Sequence, residues 1–97
     1  MIIIHDIFIC KPGNASKLAK QFKSAMEGSS DLVNIMTDMT GQYNKVVMVT
    51  QYENLIAYEK SWEKYSKDSE EMKKMNEAMA GYQEMYLTGS REIFQVW

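Results

Sequence analysis

His5 and Asp6 stand side by side in the middle of the apolar run Ile2 to Cys10. A carboxyl among apolar side chains has its pKa raised, because burial disfavours the charged form, and a carboxyl poised near neutrality is a general base. Imidazole titrates in the same range without help. Read as a strand, the run alternates, with Ile3, His5, Ile7 and Ile9 on one face and Ile2, Ile4, Asp6, Phe8 and Cys10 on the other. The two polar residues therefore point apart and form no dyad. Asp6 and His5 are separate catalytic candidates, and Arg91, far along the chain, is the cation that would offset Asp6. An ordinary structural ion pair between Asp6 and Arg91 is the competing expectation.

The second set of chemical residues is aromatic. Tyr58, Trp62 and Tyr65 recur at helical spacing, and Tyr82 and Tyr86 follow at the end of a methionine-rich stretch. Phe8, Trp62, Tyr65, Tyr86 and Arg91 are the expected substrate-binding residues, suited to a flat aromatic or polyketide-like ligand whose polar atoms are placed by phenol hydroxyls. The same spacing is what a packed core stripe requires, so pocket and core both remain open. The methionines read as packing filler, since no His or Cys accompanies them. Cys10 reads as a small buried residue, and a lone cysteine makes no internal disulfide. No set of metal ligands is present, Lys11-Pro12-Gly13-Asn14 is not a phosphate-cradling loop, and neither metal nor cofactor is expected.

The elements that must position these residues are legible from periodicity. Lys11-Pro12-Gly13-Asn14 ends the first strand. Leu18, Phe22 and Ala25-Met26 mark a helix ended by Gly28, and Leu32 to Thr40 and Lys45 to Tyr52 read as strands joined through a turn at 41–44. Asn54 caps a helix carrying Leu55, Tyr58, Trp62 and Tyr65. The pattern loses phase at 66–69, where Asp68 or Ser69 caps a further helix with Met72, Met75, Met79, Tyr82 and Tyr86 on one stripe, Gly81 inside it and Gly89 at its end. Arg91 to Trp97 closes the chain as a fourth strand.

A chain of 97 residues is one domain, spanning 1–97. A net charge of −2 with interleaved signs argues against nucleic acid, and no apolar run approaches the roughly 20 residues of a membrane span. The N-terminal run lacks the basic start and small-residue cleavage site of a signal peptide, so the cytoplasm is the expected compartment. The element order implies an α+β, ferredoxin-like βαββαβ plan with a split second helix: a four-stranded antiparallel sheet with helices on one face. The other face, assigned to Ile4, Phe8, Asp6 and one alternating set of the later strands, is too apolar for water, and a second copy of the chain is expected to cover it.

The strand ending in Lys11-Pro12-Gly13, the Gln51-Tyr52-Glu53-Asn54-Leu55 junction, the aromatic helix after it and the closing Arg91-Glu92-Ile93 strand resemble the dimeric α/β-barrel proteins, including the NIPSNAP-like and antibiotic-biosynthesis-monooxygenase-like members. The resemblance covers nearly the whole chain. It implies a homodimeric barrel, and it spans cofactor-independent monooxygenases, haem-degrading enzymes, isomerases and ligand-binding domains. Haem-degrading members carry an asparagine on the first strand and a tryptophan and a histidine on later helices. Here those positions fall on Asp6, Trp62 and Met72, and the missing histidine argues against haem. NIPSNAP-like relatives often have a charged residue and an aromatic at the positions of Asp6 and Phe8.

Three classes of function follow. One is a small-molecule enzyme in which Asp6 abstracts a proton from an enolisable ligand, as in a cofactor-independent monooxygenase. The others are a non-catalytic ligand-binding dimer and a structural interaction module with a filled barrel.

Overall fold

The computed structural model describes residues 1–41, 43–66 and 69–97, without the side chains at 64–66 and 71. Strand β1 (Ile2–Cys10) is followed by helix α1 (Ala15–Ala25), strands β2 (Leu32–Thr37) and β3 (Lys45–Tyr52), helices α2 (Leu55–Ser66) and α3 (Glu70–Ala78), a 3₁₀ turn (Tyr82–Glu84) and strand β4 (Tyr86–Gln95). The sheet order is β2-β3-β1-β4, and all three pairings are antiparallel. This is the ferredoxin-like arrangement, with β1 hydrogen-bonded on both edges.

Local chemistry accounts for most boundaries. Asn54 Oδ1 accepts from Ala57 N at 2.9 Å at the start of α2, and Ser69 Oγ accepts from Met72 N at 3.3 Å at the start of α3. At the turn after β2, Asp38 Oδ1 accepts from Gly41 N at 2.7 Å and Thr40 N at 2.9 Å, while Oδ2 lies 3.2 Å from Lys45 Nζ. This turn closes β2 at Thr37, three residues before the sequence pattern ends.

The helix layer is packed unevenly. Cys10, Leu18, Phe22 and Val46 are almost fully buried, and Phe8, Met79, Tyr82 and Tyr86 pack against them beneath α1 and α3. Phe8 meets Phe22 at 4.9 Å and Tyr86 at 5.0 Å between ring centroids. Gly89 pairs with Phe8 across the strands, and a Cβ there would meet the Phe8 ring at 3.7 Å, an ordinary van der Waals contact.

Three expectations are corrected. The face of β1 that carries Ile4, Asp6 and Phe8 lies under the helices, not on the open side: Ile4 is wholly buried and Phe8 is in the core. Alternation gives two faces without saying which one the helices cover. The last helix stops at Ala78, because Gly81 adopts φ 78 and reverses the chain into the 3₁₀ turn. Tyr86 and Gly89 therefore belong to β4, which begins five residues before Arg91. Leu55, expected on the inner stripe of α2, is exposed.

The open face carries Ile3, His5, Ile7 and Ile9 of β1. In register beside them lie Gln51, Val49, Val47 and Lys45 of β3, and Phe94, Glu92, Ser90 and Thr88 of β4.

Two measurements test these local arguments. Gly81→Ala forces a Cβ into a left-handed conformation and should cost about 1 kcal/mol in urea unfolding. The backbone hydrogen bonds from Gly41 and Thr40, reinforced by Lys45, lower Asp38 from 3.8 to about 2. Its contribution to stability is therefore present above the unfolded value and is lost as pH falls through about 2. Asp38→Asn should flatten the acid limb of the stability profile between those two values, read from urea midpoints across pH.

Candidate functional site

Antiparallel pairing places Arg91 of β4 directly opposite Asp6 of β1. Arg91 Nε donates to Asp6 Oδ1 at 2.6 Å. The two members differ in depth: the Asp6 side chain is 14% exposed and that of Arg91 44%. The carboxylate is the inner charge and the guanidinium the outer one. That hydrogen bond is the main reason Arg91 is held above its ordinary pKa.

Helix α2 builds the wall above the pair. Tyr58 and Trp62 are one turn apart, so both rings fall on the same side of the helix. The Arg91 guanidinium carbon sits 5.1 Å from the Trp62 ring centroid and 5.9 Å from that of Tyr58, within cation–π range of both. Trp62 meets Tyr58 edge-on at 5.8 Å, and Tyr58 meets Tyr52 of β3 at 5.1 Å. Burial pushes the Tyr58 phenol up, and the nearby guanidinium pulls part of that shift back. Ser61 Oγ donates to Tyr58 O at 2.6 Å, which turns this hydroxyl back onto its own helix.

Beneath these side chains is a cavity of about 310 Å³, bounded by Asp6 and Arg91 at one side, the rings of Tyr52, Tyr58 and Trp62, and the thioethers of Met26 and Met48. That is the lower end of the usual range for small-molecule sites. A wider groove of about 670 Å³ lies beyond Tyr52 and Ser61. It is lined by Lys60, Asp31, Glu53 and Tyr52 among others.

The expected site residues are only partly brought together. Asp6, Trp62 and Arg91 meet in the cavity. Phe8 and Tyr86 pack on each other in the core beneath α1 and α3 and do not line it. His5 is on the opposite face of the sheet, edge-on to Phe94 at 5.1 Å. The side chain of Tyr65 lies outside the described residues. Cys10 is buried in the core, where burial pushes its thiol up. Among the described residues no three His, Cys, Asp or Glu side chains gather as a metal site would require.

Tyr52, Met48 and Met26 were not expected in the site. For the β3 residues a signal exists in principle: Tyr52, Thr50 and Met48 alternate onto the helix-facing side of β3, opposite Ile2, Ile4 and Asp6.

The family model of NIPSNAP matches residues 7–88. The chain belongs to the NIPSNAP family. A NIPSNAP family protein from Agrobacterium tumefaciens superposes with a TM-score of 0.77 at 12% identity, covering 97% of this chain and 90% of that one. An uncharacterized NIPSNAP domain protein from Burkholderia xenovorans gives a TM-score of 0.78 at 11% identity, over 100% of this chain and 95% of that one. A putative antibiotic biosynthesis monooxygenase from Nitrosomonas europaea gives 0.66 at 10% identity, over 99% and 98%. No curated protein matches the chain. At these identities the likeness establishes a shared fold, so this NIPSNAP member's chemistry has to be argued from its own cavity.

The Asp6–Arg91 pair generates a stability prediction. Because the arginine is nearly half exposed, a double-mutant cycle through Asp6→Asn, Arg91→Gln and the double variant should give a coupling of only about 1 kcal/mol. A coupling near zero would mean that the pair does not hold the arginine in place.

Proposed function

We propose that this NIPSNAP protein binds a small organic molecule in the cavity beneath α2, and that it does so as a homodimer. The observation that carries the reading is the convergence of one ion pair and three aromatic rings on a space of about 310 Å³. A site of this kind offers flat apolar walls for a ring and one polar edge for its oxygens.

The chemistry that fits is proton abstraction. Asp6 Oδ1 is engaged by Arg91 Nε, which leaves Oδ2 as the base for an acidic C–H, and the guanidinium lies where negative charge would develop on an adjacent carbonyl oxygen. An enolate formed this way is electron-rich enough to react with dioxygen directly, which is the monooxygenase-like activity in view. The tight tie between Asp6 and Arg91 favours a second reading, ligand binding without turnover, in which the carboxylate serves only to hold the arginine. Oxygen consumption in the presence of enolisable bicyclic aromatics separates the two. Under the enzymatic reading Asp6→Asn abolishes uptake while the protein stays folded, and unchanged uptake removes Asp6 from the chemistry.

The dimer rests on the open face of the sheet. Ile3, Ile7, Ile9 and Val47 form a half-buried apolar centre there around the buried Val49, and Phe94 and Met36 extend it at 45% and 42% exposure. Apolar patches of this kind are covered in soluble proteins, and an antiparallel sheet face is self-complementary about a two-fold axis. His5 lies near the middle of this face, opposite Glu92, so its role here is at the interface between copies. Light scattering at micromolar concentration should give twice the chain mass of 11.3 kDa. Ile7→Asp should shift the protein towards monomer by placing a charge in the apolar centre, and a wild-type monomer at that concentration would overturn the dimer.

A further inference from the structure

We infer that the cavity selects flat anions, carboxylates or stabilised enolates on a one- or two-ring system, and that Arg91 is the residue that sets this preference. The inference rests on the reading of the cavity as a small-molecule site and adds the class of ligand.

Depth is the first argument. Asp6 is the buried member of the pair and Arg91 the outer one, at 14% and 44% side-chain exposure. A molecule entering from solvent meets the guanidinium before the carboxylate, and in a partly desolvated space the nearer charge dominates the interaction.

The balance of donors and acceptors is the second. Asp6 takes the Nε hydrogen, and the Tyr58 hydroxyl adds only a lesser interaction with the guanidinium. Arginine presents a fork of donors and no acceptor, so, among the described residues, the Nη groups keep N–H donors for a partner from outside. Trp62, also a donor only, gives its N–H to the Tyr58 hydroxyl. The guanidinium is thus the source of spare N–H groups, which an acceptor-rich ligand satisfies and a cationic ligand does not. A carboxylate or the oxygen pair of a planar enolate matches the fork in the two-pronged geometry that arginine favours.

Shape is the third. The guanidinium is already held by Asp6 on one side and by the Trp62 and Tyr58 rings on another, so little side-chain freedom remains to be lost on binding. The volume of about 310 Å³ and the three rings around it suit a conjugated system of one or two rings. Asp6 is in this account a positioning residue: it fixes the plane and direction of the fork.

Calorimetry with three probes of one shape tests the class of ligand: naphthoate, naphthamide and naphthylmethylammonium. Wild-type protein should bind naphthoate at least about tenfold more tightly than naphthamide, and the ammonium more weakly than either. Arg91→Gln should remove the preference for naphthoate, and Arg91→Lys should restore part of it. Equal binding of naphthoate and naphthamide to wild-type protein would overturn the anion preference and leave the small-molecule reading standing. Failure of all three probes to bind would overturn both. The comparison among probes on wild-type protein requires no variant to fold.

Discussion

Strand β1 is hydrogen-bonded along both edges and is apolar on both faces, and almost everything else in the molecule follows from satisfying it. Its helix-facing side carries one charge, Asp6, among Ile2, Ile4, Phe8 and Cys10. A carboxylate in that setting needs a cation close by, since burial of an unpaired charge costs several kcal/mol or forces neutralisation. The partner has to come from a neighbouring strand on the same face. In the observed register Arg91 stands directly opposite, and a slip of one residue along β4 would send it to the other side of the sheet. Strand pairing, charge burial and the chemistry of the site are thus tied to one register.

The helix layer divides the sheet into a filled half and a hollow half. At the end of β1 near Cys10, small and ring-shaped side chains interdigitate: Leu18 and Phe22 of α1, Val46 of β3, Phe8 on β1 and Tyr86 on β4. At the other half, α2 presents Tyr58 and Trp62 to a partly exposed guanidinium. The rings of Tyr52, Tyr58 and Trp62 contact one another in tilted and edge-on pairs, and the cavity lies beside them. The same contrast explains why Phe8 and Tyr86, chemically as suitable as Trp62, belong to the core: position along β1 and β4, not residue type, sorts the aromatics between the two halves.

The relatives fit this picture. A family model covering residues 7–88 and superpositions over nearly the whole chain at identities near one residue in ten show that the backbone plan tolerates wholesale replacement of side chains.

By itself the sequence determined what depends on near neighbours in the chain. The alternation of Ile2 to Cys10, the β-branched run of Lys45 to Tyr52, and the caps at Asn54 and Ser69 are local signals, and the strands and helices they predict are present. Asp6 and Arg91 were recognisable as partners because charge in an apolar strand demands a counter-charge. Tertiary structure decided the rest. Alternation makes two equivalent faces, and only the packing of α1 onto Phe8 and Cys10 says which is inside, so Ile4 and Phe8 changed sides relative to expectation. Methionine periodicity runs on past Ala78, yet Gly81 in a left-handed conformation turns the chain so that Tyr86 joins a strand. Tyr52 and Met26 enter the cavity from elements distant in sequence, and no local pattern encodes that meeting, because it exists only once the sheet register and the seating of α2 have fixed where each side chain points.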